Sequence, residues 1–142
     1  MIVHIDVLGL PAPQGSKRHV GRGILVESST KVGPWREAVV AAATNQGAAN
    51  LRLDGPVKLD VSFYLPRPKA HYRANGELRP TAPFVQSNTP DIDKLLRSTL
   101  DALVQAAVIA DDARVQELES RKLYATSERA PGALIMLKGN HP

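Results

Sequence analysis

The sequence predicts an α+β fold, a single domain in which two main helices pack on a mixed β-sheet. Three observations predict it. Residues 57–65, Val-Lys-Leu-Asp-Val-Ser-Phe-Tyr-Leu, alternate apolar and polar side chains, the period of two that marks a strand with one buried face. Ile92, Leu95, Leu96, Leu100, Leu103, Val104 and Ala107 recur at helical spacing and form one apolar stripe. The predicted elements run β, β, α, β, α, β, β, an order that layers helices against a mixed sheet. At 142 residues the chain suits one core, and no internal repeat divides 1–142.

Each element has a local cause. Residues 2–9 are rich in Ile and Val and end at Gly9 and Pro11, which predicts a first strand. Residues 10–23 hold two prolines and three glycines and form a loop, with a small hairpin leading into Gly23-Ile24-Leu25-Val26-Glu27. A helix is expected over 33–46. Ser28, Ser29 or Thr30 would lead into it, Pro34 suits its first turn, and Gly47 would stop it. After the strand at 57–65, residues 66–90 carry five prolines and read as a long loop. A loop of that length in a compact domain is usually functional or disordered. The second helix follows. Residues 114–125 and 133–138 are two more strands, separated by a turn at Ala130-Pro131-Gly132.

Composition excludes several function classes. No apolar run approaches the roughly 18–20 residues that cross a bilayer. The start, Met1-Ile2-Val3-His4-Ile5-Asp6, lacks the basic region of a signal peptide. There is no cysteine, which removes disulfides and thiolate zinc sites and fits a cytoplasmic protein. No glycine-rich phosphate loop is present, so no nucleotide cofactor is expected. The four histidines show no paired ligand spacing. Trp35 and Tyr64 read as core or rim residues. The net charge is +4 and the pI about 9.6, a weak pointer to a polyanionic partner. Its distribution says more. Lys17, Arg18, His19 and Arg22 form one cluster; Arg67, Lys69, His71, Arg73 and Arg79 form another, opposed only by Glu77. Both fall in loops, and solvated loop surface is their plain alternative.

Against this basic background Asp91, Asp93 and Asp112 stand out, with Asp111 beside the last. A protein that binds a polyanion has little use for acids at its binding surface unless they hold a cation. Phosphodiester hydrolysis needs such a cation, to neutralise the phosphate and lower the pKa of an attacking water. Magnesium takes oxygen ligands and is held by a few carboxylates. Residues two apart on a helix point about 200° away from each other, whereas in extended chain they share a face. Asp91 is therefore expected just before the second helix and Asp93 at its first turn. Asp112 lies beyond a helix of about 15 residues, roughly 22 Å long. It can approach Asp93 only if residues 109–113 turn back beside that helix. Plain alternatives stand beside these readings. Asp91 and Asp93 could simply cap a helix, Asp111-Asp112 could simply be a turn, Arg97 could pair with Asp101, and Lys122 could face solvent.

The stretch Pro90-Asp91-Ile92-Asp93-Lys94-Leu95-Leu96-Arg97, then Leu100-Asp101-Ala102-Leu103, then Asp111-Asp112-Ala113-Arg114-Val115, resembles the RusA family of Holliday junction resolvases. That family's pattern is Asp-x-Asp-Asn-x-x-Lys, a Leu-Asp-Ala-Leu helix, and an Asp-Asp pair before a strand with a lysine. Gly9-Leu10-Pro11 through Ser16-Lys17-Arg18 is similar to its N-terminal loop, and Arg67-Pro68-Lys69 to its basic loop. The resemblance implies that Asp91, Asp93 and Asp112 are the essential carboxylates and that the metal is Mg2+, with Mn2+ as a substitute. It also implies a homodimer, and a phage or prophage context in bacteria. Lys122 sits at the strand lysine. Two positions depart: Lys94 stands at the usual Asn, and Arg97 at the usual Lys. Arginine keeps the charge and can grip a phosphate by two hydrogen bonds, but it is a poor proton donor.

The expected activity is magnesium-dependent cleavage of branched DNA, four-way junctions above all. Arg97 and Lys122 would contact the scissile phosphate, while Lys17, Arg18, Arg67, Lys69 and Arg73 would hold the flanking backbone. Three rivals remain at this point: a metal-dependent nuclease acting on other branched or duplex DNA, a non-catalytic DNA-binding module, and a structural dimer with a basic surface.

Overall fold

Alternation of β-branched and polar residues puts Ile2–Leu8 in the first strand, β1. In the computed structural model, residues 1–15, the backbone of 17–19 and 25–27, and residues 30–139 are described. The other elements are β2 (Lys17–His19), β3 (Leu25–Glu27), α1 (Val32–Asn45), β4 (Val57–Leu65), α2 (Ile92–Gln105), β5 (Val115–Tyr124) and β6 (Gly132–Gly139). This is the mixed sheet with two helices that the sequence predicts. The boundaries expected for the 57–65 strand hold to the residue. The expected lead into α1 differs: the residue before the helix is Lys31, which makes no side-chain cap, while Ser28 and Ser29 lie outside the described residues.

The main sheet runs β1-β6-β4-β5. β6 is antiparallel to both β1 and β4, while β5 lies parallel to β4 at the edge. A parallel neighbour needs a long crossover. Residues 66–114, with α2 among them, supply it. β2 and β3 pair separately as a short antiparallel hairpin.

Period-two patterning sends Ile5, Val7, Leu59, Val61, Phe63, Ile135 and Leu137 to one face, all fully buried. α1 lays Trp35, Val39 and Ala43 on that face, and α2 adds Leu95, Ala102 and Leu103. The two helices are tied by Trp35, whose indole N–H donates to Thr99 Oγ1 at 3.1 Å; Thr99 in turn donates to the Leu95 carbonyl at 2.8 Å. The opposite face of the sheet is polar. There Lys58 pairs with Glu117 at 2.9 Å and Arg121 with Asp60 at 2.8 Å.

The 66–90 loop is built, not loose. It holds a 3-10 turn at Lys69–His71 and a bridge between Tyr72 and Leu78. The Arg73 N–H donates to the Glu77 carbonyl at 2.7 Å and closes its tip. Arg67 anchors the loop from below. Its guanidinium carbon lies 4.1 Å over the Tyr124 ring, and Nη1 donates to the Pro83 carbonyl at 2.8 Å.

Candidate functional site

α2 begins where the spacing argument put it. Asp91 is the residue before the helix, in extended conformation (φ −70°, ψ 137°), and Asp93 lies in the first turn. The Asp91 carboxylate does not cap the helix, so the plain capping role is not the one it fills. Its oxygen lies 3.8 Å from Lys94 Nζ. Asp93 sits where the positive end of the helix dipole favours an anion.

The far end of α2 shows how Asp112 comes back. The Val108 N–H donates to the Leu103 carbonyl and the Ala107 N–H to the Val104 carbonyl, both at 2.9 Å, with Ala107 left-handed (φ 55°). This pair of bonds is a Schellman stop, and it reverses the chain. Residues 50–53 then hold the returning strand. Asn50, Arg52 and Leu53 donate to the carbonyls of Ala106, Ala107 and Val108, and Ala110 donates back to Leu53. Asp111 accepts from the Ala113 N–H at 3.0 Å, and Arg114 pairs with Asp54 at 3.0 Å, fixing the turn that carries Asp112. The turn brings Asp112 back to the cleft that Asp93 also lines.

The result is a cleft of about 620 Å³ lined by Asp93, Lys94, Arg97, Leu100, Asp101 and Asp112, together with Gln14 and Gly15. Gln14 is fastened there by its N–H, which donates to the Lys94 carbonyl at 3.0 Å, and Ser98 Oγ holds the Ala12 carbonyl at 2.6 Å. From Gly15 the chain runs into β2, which carries Lys17 and Arg18; their side chains lie outside the described residues. Asp91, expected beside Asp93 and Asp112, does not line this cleft; its carboxylate contacts Lys94, which does.

Electrostatics mark the Asp112 end. Asp111 is held below the ordinary carboxylate value, first by the Ala113 N–H and then by its hydrogen bond with Asp112. Asp112 is held above it, first by that same bond to Asp111, then by lost hydration and by the charges of Asp111 and Asp101. Among the described residues no three acidic or histidine side chains stand close enough to ligate one ion by themselves. Asp93 and Asp101 are two turns apart, about 12 Å along the axis. The acids thus share a cleft rather than a common ligation point. That arrangement suits a hydrated magnesium, which keeps several waters and uses only one or two carboxylates.

Asp101 also lines the cleft, although its spacing from Arg97 alone suggests only a surface ion pair. Among the described residues no ion pair joins the two, and both line the cleft. The signal was present: Asp93, Arg97 and Asp101 are spaced by four and share one polar stripe. Lys122 also differs from the solvent-facing alternative. Its ammonium donates to the carbonyls of Asn88 at 2.6 Å and Pro90 at 3.0 Å, gripping the segment that leads into Asp91. Lys122→Met, which keeps the aliphatic stem, is expected to cost about 1–2 kcal/mol for two charge-assisted bonds at a partly exposed site. Urea unfolding would read this as a lower midpoint at unchanged slope.

A sequence profile for the family described as endodeoxyribonuclease RusA matches residues 9–138, most of the chain and all of the cleft. The chain belongs to the RusA endodeoxyribonuclease family. It is also 27% identical over 136 residues to the uncharacterized protein YqaN of Bacillus subtilis (strain 168), covering 89% of this chain and 91% of that protein. Within the RusA frame, Lys69 and Arg73 lie exposed on the 66–90 loop, whereas Arg67 is engaged with Tyr124 and Pro83. No helix among the described residues is long and apolar enough to cross a membrane.

Proposed function

We propose that this RusA-family protein is a magnesium-dependent endodeoxyribonuclease that resolves four-way DNA junctions as a homodimer. The observation that carries the reading is the return of Asp112, nineteen residues after Asp93, to the same cleft as Asp93, Arg97 and Asp101. When bound there, magnesium, or manganese in its place, would neutralise the phosphate and lower the pKa of the attacking water. Asp93 and Asp112 are its first candidate ligands, with Asp91 and Asp101 at the flanks. Arg97 presents a planar fork to the phosphate from the cleft wall. Lys69 and Arg73, with Lys17 and Arg18 beyond Gly15, hold the flanking backbone. Lys122 and Arg67 support the segment and loop between them. One chain carries one such cleft, and two matched cuts require two, which a twofold dimer supplies. A DNA substrate of this kind fits a cytoplasmic enzyme in a bacterial host.

The test is cleavage of a synthetic four-way junction and of linear duplex in magnesium, each repeated with a chelator. Paired symmetric cuts in the junction alone, lost with the chelator, are the expected result. Equal cutting of linear duplex would move the reading to a general metal-dependent nuclease. Steeply salt-dependent binding without cutting would leave a DNA-binding module.

Proton competition gives a second expectation. A carboxyl held above its usual value takes up a proton at higher pH, so metal-dependent cleavage should fall on the acid side sooner than for an ordinary aspartate. Asp111→Asn keeps the acceptor for the Ala113 N–H but removes the neighbouring charge. It is expected to lower the Asp112 value and move the acid limb of the pH–rate profile to lower pH. An unmoved limb would detach Asp112 from the reaction.

A further inference from the structure

Resting on the DNA-cleavage reading, we propose that Phe84 is a stacking platform for an unpaired nucleobase at the branch of the DNA. Its ring is 94% exposed, the highest value for a large apolar side chain among the described residues. Exposed aromatic rings at a fixed position are unusual, because burial of the ring is favourable and a free loop would fold it inward. Here both flanks are pinned. The Pro83 carbonyl accepts from Arg67, which rests on Tyr124, and His71 meets the same Tyr124 ring edge-on at 5.5 Å between centroids. On the other side Gln86 is buried; its Nε2 donates to the Thr89 carbonyl at 3.0 Å and its Oε1 accepts from the Asn88 N–H at 3.1 Å. Between these two anchors the chain presents Phe84 and Val85 outward.

The surroundings choose the occupant. Phe84 edges a cleft of about 710 Å³ whose walls include Arg67, Tyr72, Leu78 and Arg79. The loop's exposed charges are cationic at Lys69, Arg73 and Arg79, against Glu77 alone. An apolar ring framed by cations complements a nucleobase with its phosphate, since every base offers a π-face and stacking tolerates any sequence. An apolar protein surface would gain nothing from those charges. Position fits as well. Phe84 precedes Asp91 by seven residues, a reach of at most about 25 Å. A base stacked on Phe84 and a phosphate at the Asp93 cleft can therefore belong to one substrate, the base supplied by strands that part at a branch.

The test compares affinities of the full-length protein for a four-way junction and for linear duplex of equal length, without magnesium so that no strand is cut. Phe84→Ala is expected to weaken junction binding about 5- to 150-fold, the range of one base–aromatic stack, and to leave duplex binding unchanged. Phe84→Trp should restore it. Equal affinity of Phe84→Ala and wild type for the junction, or equal weakening on both DNAs, would overturn the proposal while leaving the nuclease reading intact. Conversion of a wild-type dimer to monomer by Phe84→Ala, read by sedimentation, would overturn it too by making Phe84 a contact between copies. Failure of the wild-type protein to bind either DNA would overturn this proposal and the nuclease reading together.

Discussion

Asp93→Asn is expected to abolish junction cleavage while leaving junction binding and fold intact. The side chain is exposed at the first turn of α2, so the amide fits the same space and breaks no packing. Its loss should fall on the chemistry alone. Metal-assisted charge stabilisation is worth several kcal/mol. At 1.36 kcal/mol per tenfold, losing about 4 kcal/mol slows the reaction roughly 10³-fold. Removing a negative charge from a cleft that faces DNA should slightly strengthen binding, so rate and affinity would move in opposite directions. That split separates a metal ligand from a structural acid. A helix-dipole role would show instead as a small stability change with cleavage retained. Single-turnover cleavage beside a gel-shift titration measures both, and retained cutting would remove Asp93 from the site. Arg97→Lys offers a contrast: it keeps the charge but gives up the planar fork, and it separates the need for two parallel hydrogen bonds from the need for charge.

Trp35→Ala is expected to be the most destabilising single change in the core, by about 3–5 kcal/mol. Trp35 is 1% exposed and fills the space between α1 and the sheet. Truncation leaves a cavity there, and it strips Thr99, fully buried on α2, of the N–H it accepts. Natural domains hold only about 5–15 kcal/mol in total. The variant would thus sit near the edge of folding, with a sharply lower urea midpoint. Trp35→Phe isolates the polar part: it keeps a ring in the core and should cost mainly the lost hydrogen bond, about 1–2 kcal/mol. The consequence reaches the cleft, because α2 carries Asp93, Arg97 and Asp101 on the face away from Thr99. If the helix shifts, those three shift with it. Partial activity in Trp35→Phe with near-normal metal dependence would fit a positioning effect of this kind.

Much of this was written locally in the chain. The period of two at 57–65 and the apolar stripe from Ile92 to Leu103 are short-range patterns, and each element formed where its pattern lay. The positions of Asp91 and Asp93 relative to the helix start were also readable, since they depend only on where the stripe begins. The hidden features were those set by contacts between distant segments. Nothing near Ala107 announces a left-handed residue; an alanine there is held by its N–H on the Val104 carbonyl and by the Arg52 N–H on its own carbonyl. The role of Lys122 was equally hidden, because its partners at Asn88 and Pro90 are more than thirty residues away. Arg67 looked like a free cation in the sequence, and only Tyr124 and Pro83 made it an anchor.

By itself the sequence determined the main helices and strands and their buried faces, because side-chain period and backbone preference act over a few residues. Only the tertiary structure decided which acids share a cleft. That depended on a reversed chain at Ala107, a strand order that places β5 beside β4, and hydrogen bonds from residues 50–53. Such bonds join groups far apart in the chain, and their partners are fixed by packing rather than by neighbours in sequence.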